Sequence, residues 1–238
     1  MNRIQITLVG VVILLALGLS TATVHAGELV TETRSISGIR TVRLKGQGQI
    51  IVNQGDEESL TIEAKENVMS LINTTVSGDT LTLKFNKRWF QFWLTRKEIK
   101  YYLTLSDPRE FIISGSGSLD ASDLTVRRLR LQINGSGKGY ITNLVADRLE
   151  TDVNGSGKFL VSGNVLEQRI EIAGSAKYQA IDLVSDVAEV KISGSGKTEL
   201  NVQKELDVRI SGSGTVRYKG NPRITQRISG SGKIRNID

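Results

Sequence analysis

The chain has 238 residues, with 31 Lys and Arg against 25 Asp and Glu, so its formal net charge is +6. It contains no cysteine and a single histidine, His25. This composition excludes disulfides, cysteine nucleophiles and the usual zinc sites built from Cys and His, and we expect neither a metal nor a cofactor.

The first 26 residues have the pattern of a secretory signal peptide. Arg3 precedes an apolar run over residues 8–19, and the segment ends in the small-x-small pattern Val24-His25-Ala26. We predict cleavage after Ala26 and an exported domain over residues 27–238. A retained membrane anchor is the alternative, although the apolar run is short for one. Cleavage would remove His25, which excludes a Ser-His-Asp triad as well.

Residues 27–104 are predicted to form an irregular β-rich part of this domain. Short runs of β-branched and other apolar residues, bounded by Gly, Asn and Asp, predict strands at residues 41–44, 50–52, 60–62 and 81–83. Ser77-Gly78-Asp79 predicts a tight turn between two of these strands. Residues 63–71 could form a helical turn.

Residues 84–102 differ from the rest of the chain because they combine cations with aromatic side chains. The most concentrated part holds Arg88, Trp89, Phe90, Phe92 and Trp93. One interpretation is an exposed platform that stacks on sugar rings or enters a membrane interface. The other is a cap that buries its aromatic side on the open end of a repeat structure.

Residues 105–238 carry a repeat in which an apolar residue, one further residue and Gly-Ser-Gly recur with a period near 20. The first glycines are Gly115, Gly135, Gly155, Gly174, Gly194, Gly212 and Gly230, although the copy at Gly174 ends in Ala176. A weaker copy lies at Gly46 and Gly48. Such a period predicts an all-β fold, a parallel β-solenoid with coils of about 18–20 residues.

Two apolar columns support this prediction. The first comprises Ile113, Ile133, Val153, Ile172, Ile192, Ile210 and Ile228, and the second, eight residues later, comprises Ala121, Ile141, Val161, Ala180, Leu200 and Tyr218. Stacked coils would place equivalent residues about 4.8 Å apart in the interior. The glycines would allow a positive φ or a close backbone approach at the corner, so we expect Gly135→Val and Gly155→Val to be damaging.

Lysine follows the corner in four consecutive repeats. These residues are Lys138, Lys158, Lys177 and Lys197, and Lys233 takes the same place in the last repeat. If the coils stack in register, the lysines form a row along one edge that could receive an extended polyanion. The alternative is that they only keep the edge of the solenoid soluble.

Two motifs resemble catalytic or nucleotide-binding sites but lack features that such sites require. Gly194-Ser-Gly-Lys197-Thr198 lacks the glycine that a phosphate-binding loop requires five residues before Gly196, where Lys191 stands. Asp120 with Asp123 could in principle serve glycoside hydrolysis, but nothing places them at a defined spacing on one strand face. We therefore identify no catalytic residue.

Several segments together resemble a known bacterial family. Residues 37–85 contain Ser-Gly-Ile-Arg-Thr-Val, Gly-Gln-Gly-Gln-Ile-Ile-Val and Ser-Gly-Asp-Thr-Leu-Thr-Leu, and residues 102–119 continue into the first Gly-Ser-Gly corner. These motifs and the serial corners resemble the autotransporter adhesin head GIN domain. The resemblance covers nearly the whole mature chain and implies a right-handed parallel β-helix of the cell envelope or exterior, with no established catalytic residues.

The sequence thus favours a non-enzymatic, adhesin-like protein that is exported to the periplasm, the outer envelope or the medium. Its expected partners are an anionic polysaccharide, lipopolysaccharide or a membrane surface, and a homo-oligomer is compatible with the chain. Nucleic acid is not expected in these compartments. The alternatives are a polysaccharide-active β-helix enzyme and a purely structural scaffold.

Overall fold

The computed structural model describes residues 28–86 and 99–238. Up to residue 105 the strands are β1 (Leu29–Arg34), β2 (Thr41–Gly46), β3 (Gln49–Gln54), β4 (Ser59–Lys65), β5 (Ile72–Ser77), β6 (Thr80–Phe85) and β7 (Lys100–Leu105). One short helix, α1 (Glu66–Met69), follows β4. The four predicted strands, the helical turn and the tight turn between β5 and β6 are confirmed.

The repeats form ten further strands. They are β8 (Glu110–Gly115), β9 (Ser118–Ser122), β10 (Thr125–Gly135), β11 (Lys138–Gly155), β12 (Lys158–Gly174), β13 (Lys177–Gly194), β14 (Lys197–Gly212), β15 (Thr215–Lys219), β16 (Arg223–Gly230) and β17 (Lys233–Asn236). Each pairs in parallel with its equivalent in the next coil. The predicted parallel β-solenoid with coils of 18–20 residues is confirmed.

Each coil has three faces, which we name by their position relative to the Gly-Ser-Gly corner. The first face leads into the corner and includes β8 and β16. The second face follows the corner and includes β9, β15 and β17. The third face connects the second to the first face of the next coil, at residues 124–129, 144–149, 163–168, 183–188 and 202–206. Alternating side chains on all three faces point into a common core, as the period of a strand requires.

The coils stack with equivalent residues in register. On the first face Ile133 pairs with Ile113 below and Val153 above, and the column continues through Ile172 to Ile228. On the second face Ile141 lies between Ala121 and Val161. Like residues therefore meet like residues throughout the repeats, which explains why these positions differ so little from one repeat to the next.

The corner depends on glycine because each coil lies very close to the previous one. Gly135 has a φ of +130°, and a Cβ atom on it would lie 2.6 Å from the carbonyl oxygen of Gly115. The same oxygen accepts a hydrogen bond of 2.9 Å from the backbone N–H of Ser136. The turn thus needs both a positive φ and an absent side chain.

The N-terminal part begins the solenoid and covers its first end. Gly46 pairs with Gly115, so the weaker repeat copy is a true coil formed by β2 and β3. Antiparallel pairs of β1 with β4, β4 with β7, and β5 with β6 extend this end. Within the part of the chain that the structure describes, no helix has the length and apolar character to span a bilayer.

A buried polar cluster joins β12, β13 and β14 inside the core. Gln168 donates from Nε2 to Ser185 Oγ at 2.7 Å, and its Oε1 accepts from the Tyr178 hydroxyl at 3.2 Å. Ser185 in turn donates to the carbonyl of Asn201 at 3.1 Å. These bonds join three successive coils inside the solenoid, where an unpaired polar group would be destabilising.

The last coil departs from the predicted interior column. Ile210 is 2% exposed, whereas its equivalent Ile228 is 40% exposed. The physical reason is that β16 and β17 each pair with one neighbouring strand only, so no further coil covers their inward side chains. The prediction that the isoleucine column is buried therefore holds from Ile113 to Ile210 and is wrong at Ile228.

Candidate functional site

The lysine edge, which we define as Lys138, Lys158, Lys177 and Lys197, runs along the second face directly after the corner. The four residues are paired in register across consecutive coils. The backbone N–H of each lysine donates to a carbonyl of the preceding coil at 2.9–3.0 Å, which fixes the backbone position from which each side chain extends. Their spacing along the solenoid is therefore that of the strands, about 4.8 Å.

Within the described residues, none of the four ammonium groups of the lysine edge lies within 4.0 Å of a carboxylate. Glu199 lies two residues after Lys197 on the same face, but it is paired with Arg217 at 2.9 Å and does not neutralise the lysine edge. The next outward column on the same face is uncharged beside the first three lysines, where it contains Tyr140, Leu160 and Gln179. Leu160 is 40% exposed. Like charges at this spacing repel one another, and an anion laid across them would relieve that repulsion.

A row of exposed hydroxyl groups accompanies the lysine edge. The central serines of the corners, Ser136, Ser156, Ser175 and Ser195, are exposed one position from the turn. On the far side of the corner, Asn154 donates from Nδ2 to Asn134 Oδ1 at 3.1 Å. The edge therefore offers ammonium groups and neutral hydrogen-bonding groups in parallel rows, a combination suited to a charged and hydroxylated polymer.

The first face is organised in the opposite way, because most of its cations lie within ion-pair distance of a carboxylate on a neighbouring coil. Arg130 lies 2.8 Å from Asp152 and 3.6 Å from Glu110. Lys191 contacts both Glu171 and Glu189 at 3.3 Å. These pairs are partly exposed and each contributes little to stability, but together they neutralise the face.

The pKa values on the first face agree with this pairing. A hydrogen bond from Arg169, assisted by one from Lys191, holds the pKa of the Glu171 carboxyl below its usual value. The hydrogen bond to Asp152 raises the pKa of the Arg130 guanidinium. Both groups are therefore held in their charged forms, and this face leaves little net charge to attract a ligand.

The other predicted binding residues are not placed by the structure. Arg88, Trp89, Phe90, Phe92 and Trp93 lie outside the described residues, as does the predicted signal peptide. Both interpretations of the aromatic segment therefore stay predictions.

The acidic residues considered for hydrolysis take part in surface hydrogen bonds. Asp120 accepts from Gln49 Nε2 at 2.8 Å, and Asp123 accepts from Asn143 Nδ2 at 3.0 Å. Among the residues that the structure describes, no three acidic or histidine side chains are grouped as metal ligands. These carboxylates connect coils to one another.

Comparison with known sequences identifies the family. The profile of the family described as "Putative auto-transporter adhesin, head GIN domain" matches residues 39–222. The chain belongs to this head GIN domain family. No curated protein matches the chain.

Solved structures share the head GIN fold over almost their full length. A "putative adhesin" from Bacteroides fragilis has a TM-score of 0.77 at 24% identity, and the match covers 88% of this chain and 97% of that one. A "putative adhesin" from Parabacteroides distasonis has a TM-score of 0.68 at 21% identity, covering 89% and 98%. A "putative lipid binding protein" from the same organism has a TM-score of 0.70 at 25% identity, with the same coverage. The family and these relatives are named as adhesins or binding proteins and not as enzymes.

Sequence reasoning missed the alternating charges of the first face and a group of arginines on the third face. The first signal was available, because Glu110, Arg130 and Glu150 are separated by one repeat length and alternate in sign. The sequence carries no such signal for the arginines, because the third face varies in length between coils, as the register shifts between β11 and β14 show.

Proposed function

We propose that this head GIN domain is a non-enzymatic, exported, adhesin-like protein of the cell envelope or surface, and that its lysine edge binds a linear acidic polysaccharide. The family and the names of its relatives support the adhesin-like role. The observation that carries the ligand class is the contrast between the two faces. Arg130 and Lys191 of the first face are paired with carboxylates, whereas the four stacked lysines make no ion pair within the described residues and the first three lie beside uncharged side chains.

The ligand class follows from the geometry of the edge. A row of ammonium groups about 4.8 Å apart matches an extended polymer with regularly spaced negative charges better than a compact anion. The affinity would come from several weak pairs in a row, each worth about 0.5 kcal/mol at an exposed site. Binding should consequently weaken as salt is added.

The test compares two triple variants that remove the same charge. One replaces Lys138, Lys158 and Lys177 by Ser, and the control replaces the exposed Lys45, Lys84 and Lys219 by Ser. Titration with polygalacturonate should show about a tenfold loss of affinity for the edge variant, from three pairs of about 0.5 kcal/mol. The control should lose less than about twofold, and methyl-esterified polymer should bind neither wild type nor variants.

Equal losses in the two variants would show that the polymer responds to net charge and not to the edge. Export is tested separately, by locating the mature protein after cell fractionation and sequencing its N-terminus. Recovery of a cytoplasmic protein that retains Met1 would contradict the envelope role.

A second candidate function is lipid binding. It is favoured by the name of the Parabacteroides distasonis relative and by apolar side chains that the solenoid leaves exposed, including Val145 at 50% and Leu166 at 55%. Exposed apolar groups in contact with one another mark binding surfaces more often than isolated ones do.

A further inference from the structure

The third face carries a groove that is apolar along part of its length. It is a depression of about 450 Å³ whose apolar walls are Val126, Val145, Ala146, Val165 and Leu166. Val145 and Leu166 expose about half of their surface. The groove crosses three consecutive coils, because its lining comes from residues 125–127, 145–147 and 164–166.

The apolar groove opens into a second depression that is strongly basic. This arginine pocket has a volume of about 570 Å³ and is lined by Arg109, Arg127, Arg128, Arg148, Asp107 and Asp147. Arg127 and Asp147 line both depressions, so the two are continuous. The combined site therefore has an apolar part and a cationic part in contact.

Two of the four arginines are free to take a ligand. Arg109 lies 2.7 Å from Asp107, and Arg148 lies 2.9 Å from Glu150 and 3.5 Å from Glu167. Arg127 and Arg128, by contrast, have no carboxylate within 4.0 Å among the described residues, and both are exposed. Asp147 also lacks a partner there and would oppose an anion in the pocket, whereas Asp107, the other acidic group of the lining, is paired with Arg109.

We propose that this groove is the binding site of a single amphiphile that bears a phosphate group, such as a phosphorylated lipid. The phosphate would accept hydrogen bonds from Arg127 and Arg128, whose planar guanidinium groups match phosphate oxygens in pairs. The alkyl chain would lie over Val145 and Leu166 and remove these two exposed side chains from water. This inference rests on the lipid-binding candidate above and is independent of the lysine edge.

The arrangement explains why the apolar residues are on the third face. Val145 and Leu166 occupy positions that face solvent, where a solenoid without a ligand would gain solubility from polar residues. The groove that they line shares Arg127 and Asp147 with the arginine pocket. A ligand with a charged head and an apolar tail therefore complements both parts of the site at once.

The experiment uses the full chain and alkyl phosphates below their micelle concentration, measured by isothermal titration calorimetry. Dodecyl phosphate should bind about tenfold or more tightly than octyl phosphate, because four further methylenes reach the groove. Inorganic phosphate should bind more weakly than either, and dodecyl maltoside, which lacks the anion, should bind weakly as well.

Three variants test separately how the arginine pocket holds the phosphate and how the apolar groove holds the alkyl chain. Arg127→Gln with Arg128→Gln should weaken dodecyl phosphate by about tenfold or more, whereas the control pair Arg227→Gln with Arg235→Gln removes the same charge from the last coil and should change affinity less than about twofold. Leu166→Ser should weaken dodecyl phosphate and leave inorganic phosphate unchanged. Asp147→Asn should strengthen binding by about threefold, a gain that misfolding could not produce.

The outcomes distinguish this site from the function on which it rests. If wild type binds no alkyl phosphate and no phosphatidylglycerol vesicle, both the site and lipid binding are refuted. If wild type binds but the Arg127 and Arg128 variant binds equally well, the lipid function stands and the site is wrong. Binding to phosphatidylglycerol vesicles without any binding of monomeric dodecyl phosphate would also refute the site.

Discussion

Substitution of a corner glycine tests the close stacking of coils on which the whole fold depends. In Gly135→Ala the new Cβ would lie 2.6 Å from the carbonyl oxygen of Gly115, which is backbone and cannot rotate away. In Gly46→Ala the φ is also positive, at +111°, but nothing lies within 4 Å of the new Cβ. The two positions share the backbone requirement, and only Gly135 has the steric one.

The magnitudes follow from these two contributions. A φ this far beyond the left-handed helical region costs a residue with a side chain about 1–3 kcal/mol, so Gly46→Ala should destabilise by that amount. Gly135→Ala should cost a further 1–3 kcal/mol or so, because the coil must shift away from its neighbour. The Ser136 hydrogen bond to the same oxygen, 2.9 Å long, would be strained by that shift.

Urea unfolding followed by far-ultraviolet circular dichroism measures the difference, provided that the slope of free energy against urea stays constant between variants. Agreement of the two variants to within about 0.5 kcal/mol would refute the reasoning, because it would show that coil contact adds nothing to the backbone strain. A smaller slope in Gly135→Ala alone would instead indicate that the coils unfold separately, as the additive stability of repeat proteins allows.

Two further predictions concern the interior. Burial raises the pKa of Tyr101 and Tyr178 above the ordinary value of 10.0. Their contribution to stability is therefore complete below pH 10 and is lost as the pH rises further, because only the tyrosines of the unfolded chain ionise there. The Tyr178→Phe variant should lose less stability than wild type between neutral and strongly alkaline pH, and an identical loss would contradict this prediction. Gln168→Leu should destabilise by about 2 kcal/mol, because it removes the partner of the buried Tyr178 hydroxyl, whereas Ser185 keeps its bond to the carbonyl of Asn201. In urea unfolding, a variant as stable as wild type would show that the cluster is dispensable.

Much of the solenoid could be predicted because its information is repeated. The spacing of Gly115, Gly135 and Gly155 sets the coil length, and Ile133 eight residues before Ile141 sets two faces. Six or seven copies of the repeat support each of these two predictions. The four stacked lysines followed from the same period, so their alignment needed only the assumption that coils lie in register.

The parts without repetition were harder to predict. Short runs marked β2, β3, β4 and β6 correctly, and the turn at Ser77-Gly78-Asp79 indicated the β5–β6 hairpin, but nothing in residues 27–104 indicated the other antiparallel pairs. That β1 pairs with β4 and β4 with β7 depends on contacts between distant segments, which local propensity does not encode. The exposure of Ile228 likewise reflects the absence of a covering neighbour and not its own side chain.

Local sequence thus decided the coil, its corner and its columns, since a glycine at positive φ and an alternating strand are properties of a few adjacent residues. The repeat spacing indicates which charges could meet, as Glu110 and Arg130 show, but only the tertiary structure sets the distances that neutralise them. Arg130 and Lys138 are equally basic in the sequence, yet winding places Arg130 beside Asp152 and leaves Lys138 beside another lysine. Charge pairing depends on distances across coils, and those distances exist only once the chain has been wound.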